Sequence, residues 1–403
     1  MFLRILALFA LLTTTAAHAA DPSDWDAVLA KAKGQTVYFN AWGGADNINA
    51  FIRWAGDRLE EMHGVKVVHV KLADTANAVS TVVAEKAAGR ETGGSIDLVW
   101  INGENFVNMK RAGLLLDGEW AEKLPNWQFV DWENKATIQT DFTVPVEGQE
   151  APWGGAKLVF FHDTAATQPE DMPDSFAQLV EWTAANPGRF TYPAPPDFIG
   201  SSFLKQALSE TVADKDALLR EVDEATFKKA AAPLFAALDR MHPNLWRSGR
   251  AYPRNYPDMT RLLGDGEVDI AFAFNPADAS AAIADGRLPD TVRSFVFSGG
   301  TLGNTHFVAI PYNASAREGA LVLANFLMSP EAQIRKQDPN VWGDPTVLAA
   351  AKLSDGDRAR LEALDLGVAT LPPAELGPAL PEPHPSWLAH LEKEWAMRYG
   401  VGQ

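Results

Sequence analysis

The chain has 403 residues and a formal net charge of −17 at pH 7, with 13 tryptophans and no cysteine. A chain this acidic is poorly suited to binding nucleic acids or anionic membranes, because both are negatively charged and bind basic patches. The absence of cysteine excludes disulfides, thiolate metal sites, a cysteine nucleophile and a lipid-modified N-terminal cysteine. The length favours two lobes, and the tryptophan count is compatible with an aromatic-lined ligand cleft.

The first 19 residues have the pattern of a bacterial secretory signal peptide. A charged start at 1–4 precedes an apolar run at 5–12, and small residues end in Ala17-His18-Ala19. The apolar run is shorter than the roughly 20 residues that span a bilayer, so it does not predict a permanent anchor. We expect cleavage after Ala19 and a soluble periplasmic protein without membrane insertion. The alternative is a buried N-terminal strand or helix.

Strands and helices alternate along the first half of the mature chain. The β-rich stretch 36–42 ends at Gly43-Gly44, and a 3.6-residue apolar period predicts a helix over 48–62 with Asp46 or Asn47 as its cap. Further strands are predicted at 65–71 and 96–101, and further helices at 75–88 and 104–112. This order implies parallel strands joined by right-handed crossovers.

The second half continues the α/β pattern without an internal repeat. The segments 145–151 and 372–385 are predicted to be extended. Predicted strands cover 157–161, 189–192, 268–274, 295–297 and 307–311; predicted helices cover 175–185, a segment opened by 200–202, 214–241, 278–284, 316–328 and 387–397.

Common enzyme motifs are absent from the sequence. It contains no G-x-x-x-x-G-K-[ST] phosphate loop, no H-E-x-x-H zinc helix and no G-x-S-x-G nucleophile elbow. The histidines of the mature chain form no i, i+3 or i, i+4 pair, so a metal site is not predicted. We therefore predict no catalytic residue, no metal and no cofactor, while a periplasmic hydrolase-like enzyme or a ligand-sensing receptor remains the alternative.

Four junctions between a strand and a helix carry residues suited to a ligand: 42–46, 102–105, 200–202 and 275–278. In open parallel sheets, ligands bind beyond the carboxyl ends of the strands, where helix N-termini supply free N–H donors. Glycines in these loops allow the backbone to approach a ligand closely. The alternative is that Asp46, Ser202 and Asp278 are only helix N-caps.

With these features, the chain resembles the family 1 extracellular solute-binding proteins, the periplasmic receptors of ABC importers. It is most similar to the YnjB-type branch, which is allied to thiamine-, polyamine- and iron-binding receptors. The resemblance lies in the VYFNAWGGADNINAFI start, the IDLVWINGENFVNMKRAGLL block and the PWGGAKLVFFHDTA segment. It continues through PDSFAQLVEW, GDGEVDIAFAFNP and HFVAIPYNASAREGALVLANFLMSPEAQ, so it spans nearly the whole mature chain.

The resemblance implies an α/β, two-lobed periplasmic-binding-protein fold of type II. Each lobe would be a mostly parallel sheet flanked by helices, with hinge crossings near Trp153, Thr305 and Trp342. The N-terminal lobe would comprise 20–152 plus 306–341, and the C-terminal lobe 153–305 plus 342–403. Partners would be a small-molecule ligand and an ABC permease in the inner membrane, and the receptor is expected to be a monomer.

Carried over by position, the cleft residues come from both lobes and include the four junctions. We expect Trp42 and Trp153 to be the aromatic anchors, and no histidine to carry affinity. The predicted ligand-binding residues are Trp42, Gly43, Gly44, Asp46, Asn102, Gly103, Glu104, Trp153, Ser201, Ser202, Tyr252, Asn255, Tyr256 and Asn275.

The predicted ligand is a planar or cationic organic molecule, because aromatic rings and carboxylates occur together in these positions. Thiamine-like or polyamine-like compounds are the first candidates for the ligand, and oligosaccharides and organic anions are the alternatives. The iron-binding branch uses adjacent tyrosines, whereas Tyr252 and Tyr256 are separated here by three residues, which argues against iron. The alternative is that the tryptophans are core residues and the acids are caps.

Overall fold

The computed structural model describes residues 20–372 and 375–400 of the chain. The predicted signal peptide, 1–19, lies outside the described residues. The first half begins with α1 (Trp25–Ala32), which was not predicted. The elements then alternate as predicted: β1 (Thr36–Trp42), α2 (Asp46–His63), β2 (Lys66–Leu72), α3 (Ala76–Ala87), β3 (Leu98–Ile101) and α4 (Gly103–Arg111).

The middle of the chain contributes short strands and six α-helices. These elements are α5 (Ala136–Gln139), β4 (Thr140–Asp141), β5 (Val144–Pro145), β6 (Glu150–Lys157), β7 (Val159–Asp163), α6 (Phe176–Ala185), α7 (Phe198–Thr211), α8 (Glu224–Met241), α9 (Tyr256–Gly264), β8 (Ile270–Ala273), α10 (Asp278–Ala284) and β9 (Val292–Phe295). The chain ends with β10 (Thr301–Ala309), α11 (Arg317–Leu327), α12 (Pro330–Gln337), α13 (Asp355–Glu362), β11 (Ala379–Leu380) and α14 (Pro385–Tyr399).

The larger sheet is mixed, with the order β11-β10-β3-β1-β2 and β6 paired to β10. Strand β1 runs parallel to β2 and β3, as the alternating order predicts, whereas β10 is antiparallel to β3 and β6. Apolar side chains cover both faces of the parallel part, as such sheets require. One face packs with α1, α2 and α11, and the other with α3 and α4.

The smaller sheet, β8-β7-β9, is antiparallel throughout, so the expectation of a mostly parallel sheet in each lobe is wrong for this one. The predicted strand 189–192 is absent, and Phe190 forms only an isolated parallel bridge to Ile270. Pro193 follows at once, and a proline has no N–H to donate to a ladder. The type II α/β fold itself is confirmed.

The three caps considered as the alternative role of the junction residues are not formed, and one predicted helix is interrupted. Helices α2, α7 and α10 begin one residue after Ala45, Asp197 and Ala277, so Asp46, Ser202 and Asp278 lie inside their helices. The predicted helix 214–241 is a short 3-10 helix at Lys215–Leu219 followed by α8. It is divided because Asp223 caps α8 by accepting a hydrogen bond from the Thr226 N–H at 2.8 Å.

Two hydrophobic cores mark the two lobes, and a third covers the other face of the larger sheet at α3 and α4. The first core surrounds β1, α2 and α11, and the second surrounds β7, β8, α7 and α8. Strands β6 and β10 pair along their length and pass from one core to the other: Trp153 packs in the first core and Ala156 in the second.

The segment after α12 also packs in the first core. Val347, Leu348 and Leu353 belong to it, Leu361 packs against it, and Ala369 lies in the second core. This packing differs from the expected assignment of 342–403 to the C-terminal lobe. The lobe boundaries stay a prediction.

Candidate functional site

A cavity of about 1000 Å³ lies between the two cores. Its walls include the ends of β1 and β3, the start of α7 and α9, and part of α14. The cavity therefore lies beyond the carboxyl ends of parallel strands, where this class of sheet binds ligands. Its volume is at the upper end of the range for small-molecule sites.

The four junctions predicted from the sequence all reach this cavity. Strand β1 ends at Trp42 and β3 at Ile101, so both following loops face the same space. The ring of Trp42 lies over Gly44, where an added Cβ would be 2.2 Å from it. Nine of the predicted residues line the cavity: Trp42, Gly44, Asp46, Asn102, Glu104, Ser201, Asn255, Tyr256 and Asn275.

The two remaining predicted glycines shape the loops instead of lining the cavity. Gly43 donates its N–H to the Leu72 carbonyl at 3.0 Å, and an added Cβ would meet the Lys71 side chain at 2.6 Å. Gly103 has a φ of +52°, donates to Asp141 Oδ2 at 2.7 Å and leaves room for the ring of Phe142.

Trp153, expected as an anchor, is fully buried in the first core. It lies behind the cavity, with its ring centroid 5.0 Å from that of Trp100 and 5.3 Å from that of Trp342. Both of these tryptophans line the cavity. Trp100 and Trp342 therefore take the place at the cavity wall that was expected for Trp153. Sequence reasoning did not identify these two as ligand contacts.

Ser202 and Tyr252 also lie apart from the cavity walls. The buried hydroxyl of Ser202 donates to the Phe198 carbonyl one turn earlier, at 2.7 Å. Tyr252 packs against the second core, where its hydroxyl is 3.3 Å from His242 Nδ1. Ser202 therefore stabilises α7, and Tyr252 stabilises the second core.

One end of the cavity is strongly acidic. Glu104 of α4, Glu392 of α14 and Asp197 before α7 line it, as does Asp74 after β2. Burial raises the pKa of Glu104 and that of Glu392, and Lys205 opposes the shift in both cases. Glu392 accepts a hydrogen bond from the Ser201 hydroxyl at 2.6 Å.

Asp74 could have been found by the strand-end reasoning that found Trp42, because it follows β2. Glu392 could not, because it lies on the last helix, far along the chain from the other walls.

The opposite end carries partly compensated charges. Burial raises the pKa of Asp278 to about 8, with Asp344 adding to the shift and Arg287 and a hydrogen bond from Tyr256 opposing it. This carboxyl is therefore mostly protonated at neutral pH. His306, which no sequence pattern singled out, lines this end and has its Nδ1 3.2 Å from Asp344 Oδ1.

Neutralising Asp197 is expected to stabilise the ligand-free protein above pH 6. Burial raises its pKa to about 6 from 3.8, so the folded state binds more protons than the unfolded state between these values. Stability therefore falls as the pH rises through this window. An asparagine at this position would keep the helix cap, so D197N should raise the free energy of unfolding by about 1–2 kcal/mol at pH 7.5, with the gain vanishing below about pH 4.

Urea unfolding of D197N at several pH values measures this effect. D223N is the matched control, because Asp223 also caps a helix but its backbone hydrogen bond from Thr226 lowers its pKa. The control should show no gain at pH 7.5. Equal gains in both variants would contradict the assignment to burial of Asp197.

Within residues 20–372 and 375–400, no group of three or more His, Cys, Asp or Glu side chains is arranged to hold a metal ion. In the same part of the chain, no helix is long and apolar enough to cross a membrane.

Comparison with known proteins identifies the family. The bacterial extracellular solute-binding protein family matches residues 54–356. The chain is 47% identical to Protein YnjB of Escherichia coli (strain K12) over 400 residues, which cover 99% of this chain and 98% of the relative.

Solved structures share the fold at low sequence identity. The periplasmic binding protein AfuA from Actinobacillus pleuropneumoniae, with exogenous fructose-6-phosphate bound, has a TM-score of 0.63 and 14% identity, and the match covers 91% of this chain and 99% of AfuA. A putative spermidine/putrescine ABC transporter from Listeria monocytogenes has a TM-score of 0.57 and 17% identity, with 90% and 99% covered. The ferric binding protein from Campylobacter jejuni has a TM-score of 0.60 and 14% identity, with 91% and 99% covered.

The solved periplasmic binding proteins agree with the type II α/β fold of this chain. Proteins of this family are transport binding proteins that take up small ligands and work with ABC permeases. The chain belongs to the family of bacterial extracellular solute-binding proteins, and its role is that of the substrate-binding receptor of an ABC importer.

Proposed function

We propose that the receptor works in the periplasm and captures a small organic cation between its lobes. The observation that carries this proposal is the charge of the cavity wall. Asp344 pairs with the buried Lys336, Asp285 pairs with Arg287, and burial raises the pKa of Asp278 to about 8, so these acids add little negative charge. The other five aspartate and glutamate side chains of the wall face three lysine and arginine side chains. One of the three, Lys205, forms a buried ion pair with Glu382 at 2.6 Å, so it adds little positive charge to the cavity.

Aromatic side chains supply the second half of a cation site. Trp42, Trp100, Tyr256 and Trp342 line the cavity together with the carboxylates. Aromatic faces attract organic cations through the ring quadrupole, and this attraction grows as water is excluded. A wall of this composition favours thiamine-like or polyamine-like ligands. The Listeria neighbour, a putative spermidine/putrescine transporter, is compatible with the polyamine alternative.

Other ligand classes fit the wall less well. A sugar phosphate or another organic anion would face the excess of carboxylates. A ferric site built on the two candidate tyrosines is disfavoured, because Tyr252 packs against the second core while Tyr256 lines the cavity.

Capture requires movement between the lobes. We propose that β6 and β10 form the hinge, since both strands pass between the cores, and that the third crossing lies between Leu361 and Ala369. Hinge closure of this kind is the known motion of periplasmic binding proteins.

The ligand class is tested by native mass spectrometry of protein purified from its own periplasm, followed by denaturing release of the bound molecule. Thermal unfolding with thiamine, spermidine and fructose 6-phosphate is the companion measurement. A cation at 100 times its dissociation constant should stabilise the protein by about 2.7 kcal/mol. Stabilisation by the sugar phosphate alone would contradict the proposal.

Replacing Trp42 with alanine is expected to weaken ligand binding about 5- to 150-fold. One aromatic face buried on a ligand is worth about 1–3 kcal/mol, and 1.4 kcal/mol is a factor of ten in affinity. Calorimetric titration measures the change, with the molecule released in the mass-spectrometry experiment as the ligand. W132A is the control, because Trp132 is 42% exposed and lies away from the cavity; equal losses in the two variants would contradict a direct role for Trp42.

A further inference from the structure

The four carboxylates at the acidic end of the cavity come from both lobes. Asp74 lies in the loop after β2, and Glu104 lies on α4, which follows β3. Both strands belong to the larger sheet of the first lobe. Asp197 precedes α7 and Glu392 lies on α14, and both of these helices pack in the second core. All four line the same cavity, so closing the lobes brings negative charges from one lobe against negative charges from the other.

The effect of each carboxylate on the pKa values of the others indicates which charges lie close together. Asp74 raises the pKa of Asp197 and of Glu392, and Glu392 raises the pKa of Glu104. Each of these three pairs joins one lobe to the other, and each is repulsive. Glu104 and Glu392 also line a smaller cavity of about 310 Å³ between α4 and α14, so these carboxylates stand at a junction between the two spaces.

The cation that lowers the pKa of Glu104 and of Glu392 is already paired. Lys205 is 1% exposed, and its ammonium pairs with Glu382 at 2.6 Å. The same ammonium lies 4.3 Å from the ring centroid of Phe142 and 5.5 Å from that of Phe198. Lys205 therefore pairs with Glu382 and compensates part of the charge of Glu104 and Glu392. One ammonium shared among these groups leaves the four carboxylates with an excess of negative charge. Lys205 also shows that this end of the cavity holds an ammonium group between carboxylate and aromatic side chains.

Attractive pairs also join the two lobes. Lys205 of α7 lowers the pKa of Glu104 of α4, but it shares its ammonium with Glu382 of its own lobe. The other pair lies at the surface. Arg111 of α4 is 3.9 Å from Glu221, and both side chains are more than half exposed. Exposed ion pairs contribute little because water and salt screen them. Repulsion across the partly buried cavity is screened less, so it outweighs this contact.

We infer that the charge of the ligand drives closure: like charges across the cavity hold the empty receptor open, and a bound cation removes this repulsion. This inference rests on the proposed function, since it requires a cationic ligand. It adds that Asp74, Glu104, Asp197 and Glu392 determine both the charge of the ligand and the position of the open–closed equilibrium. A ligand shifts such an equilibrium only through its different affinity for the two states, and here the difference is electrostatic.

The test is a distance measurement across the cleft in the ligand-free protein. The chain has no cysteine, so an introduced pair is labelled without background. Asp57→Cys on α2 and Lys229→Cys on α8 place one spin label on each lobe, at exposed positions. Pulsed dipolar spectroscopy then gives the populations of the open and closed distances, with spermidine and thiamine as the cation probes.

The test variant is E104Q/E392Q, which removes one negative charge from each side of the cavity at constant side-chain size. The control is E60Q/E394Q, which makes the same change in charge, one residue in each lobe, away from the cavity. Glu60 is exposed, and Glu394 pairs with Arg398 at 2.7 Å. Without ligand, the closed-to-open ratio should rise about tenfold in the test variant, since removing one repulsive pair of charges changes such an equilibrium by roughly this factor. The ratio should stay unchanged in the control.

The possible outcomes separate the two proposals. An unchanged distance distribution in ligand-free E104Q/E392Q overturns the inference on closure, even where spermidine or thiamine binds the parent. Failure of both spermidine and thiamine to bind the parent, together with release of a neutral or anionic molecule in the mass-spectrometry experiment, overturns the proposed ligand class. Tenfold closure in the test variant, together with weaker binding of the cation probe and an unaltered control, supports both.

Discussion

Replacing Trp153 with alanine is expected to lower the free energy of unfolding by about 3–5 kcal/mol, the usual range for removing a large aromatic side chain from a core. Trp153 is fully buried, and its ring contacts Phe39, Trp100 and Trp342 at centroid distances of 5.9, 5.0 and 5.3 Å. The loss should appear as a lower midpoint in urea or guanidinium unfolding.

The exposed Trp132 again provides the control, and W132A should change the free energy of unfolding by less than about 1 kcal/mol. The same experiment separates the two possible roles of Trp153. A native unfolding transition in W153A combined with a large loss of ligand affinity would show that Trp153 is a ligand contact, as the sequence led us to expect. A large loss of stability identifies it as a core residue.

Replacing Lys336 with methionine is expected to destabilise the protein by about 3–5 kcal/mol, because it leaves the carboxylate of Asp344 buried without its main partner. Both side chains are completely buried and form an ion pair. Burial alone would raise the pKa of Asp344, but Lys336 and His306 outweigh it and the pKa is lowered. The variant therefore loses the Lys336 ammonium, which lowers the pKa of Asp344 more than His306 does.

The companion variant is K336M/D344L, in which both charges are replaced by apolar side chains. Replacing a whole buried ion pair is often neutral or stabilising, so the double variant should recover most of the stability that K336M loses. Urea unfolding of the single and double variants measures the difference. Equal destabilisation in both would show that the cost comes from packing around Trp153 and Trp342, whose rings lie 4.4 and 4.5 Å from the lysine ammonium.

The parallel α/β part of the first lobe could be predicted because its signals are local. Strand β1 ends where the apolar run meets Gly43-Gly44, and the observed bounds agree with the predicted ones. Helices α2, α10 and α11 lie within two residues of their predicted positions. Since the carboxyl ends of parallel strands meet at one edge of a sheet, the position of Trp42 and Asn102 at the same cavity also followed from the order of the elements.

The role of Trp153 could not be predicted in this way. Seven of the eight residues of β6 are buried, since the strand lies between two cores and pairs with β10. The period of two that normally separates a buried face from an exposed one is therefore absent. Only the packing of β6 against β1 and α2 decides that Trp153 faces the core and that Trp100 and Trp342 face the cavity.

By itself, the sequence determined the α/β class, the family resemblance, the run of parallel strands and the loops that reach the cavity, because each depends on neighbouring residues or on their order. The tertiary structure decided which charges meet. Lys205 and Glu382 are 177 positions apart and pair in the interior, and Glu392 of the last helix comes to face Glu104. A charged residue on a helix has the same local pattern whether it faces water or a buried partner. Only the packing of α7 and α14 around the cavity distinguishes the two.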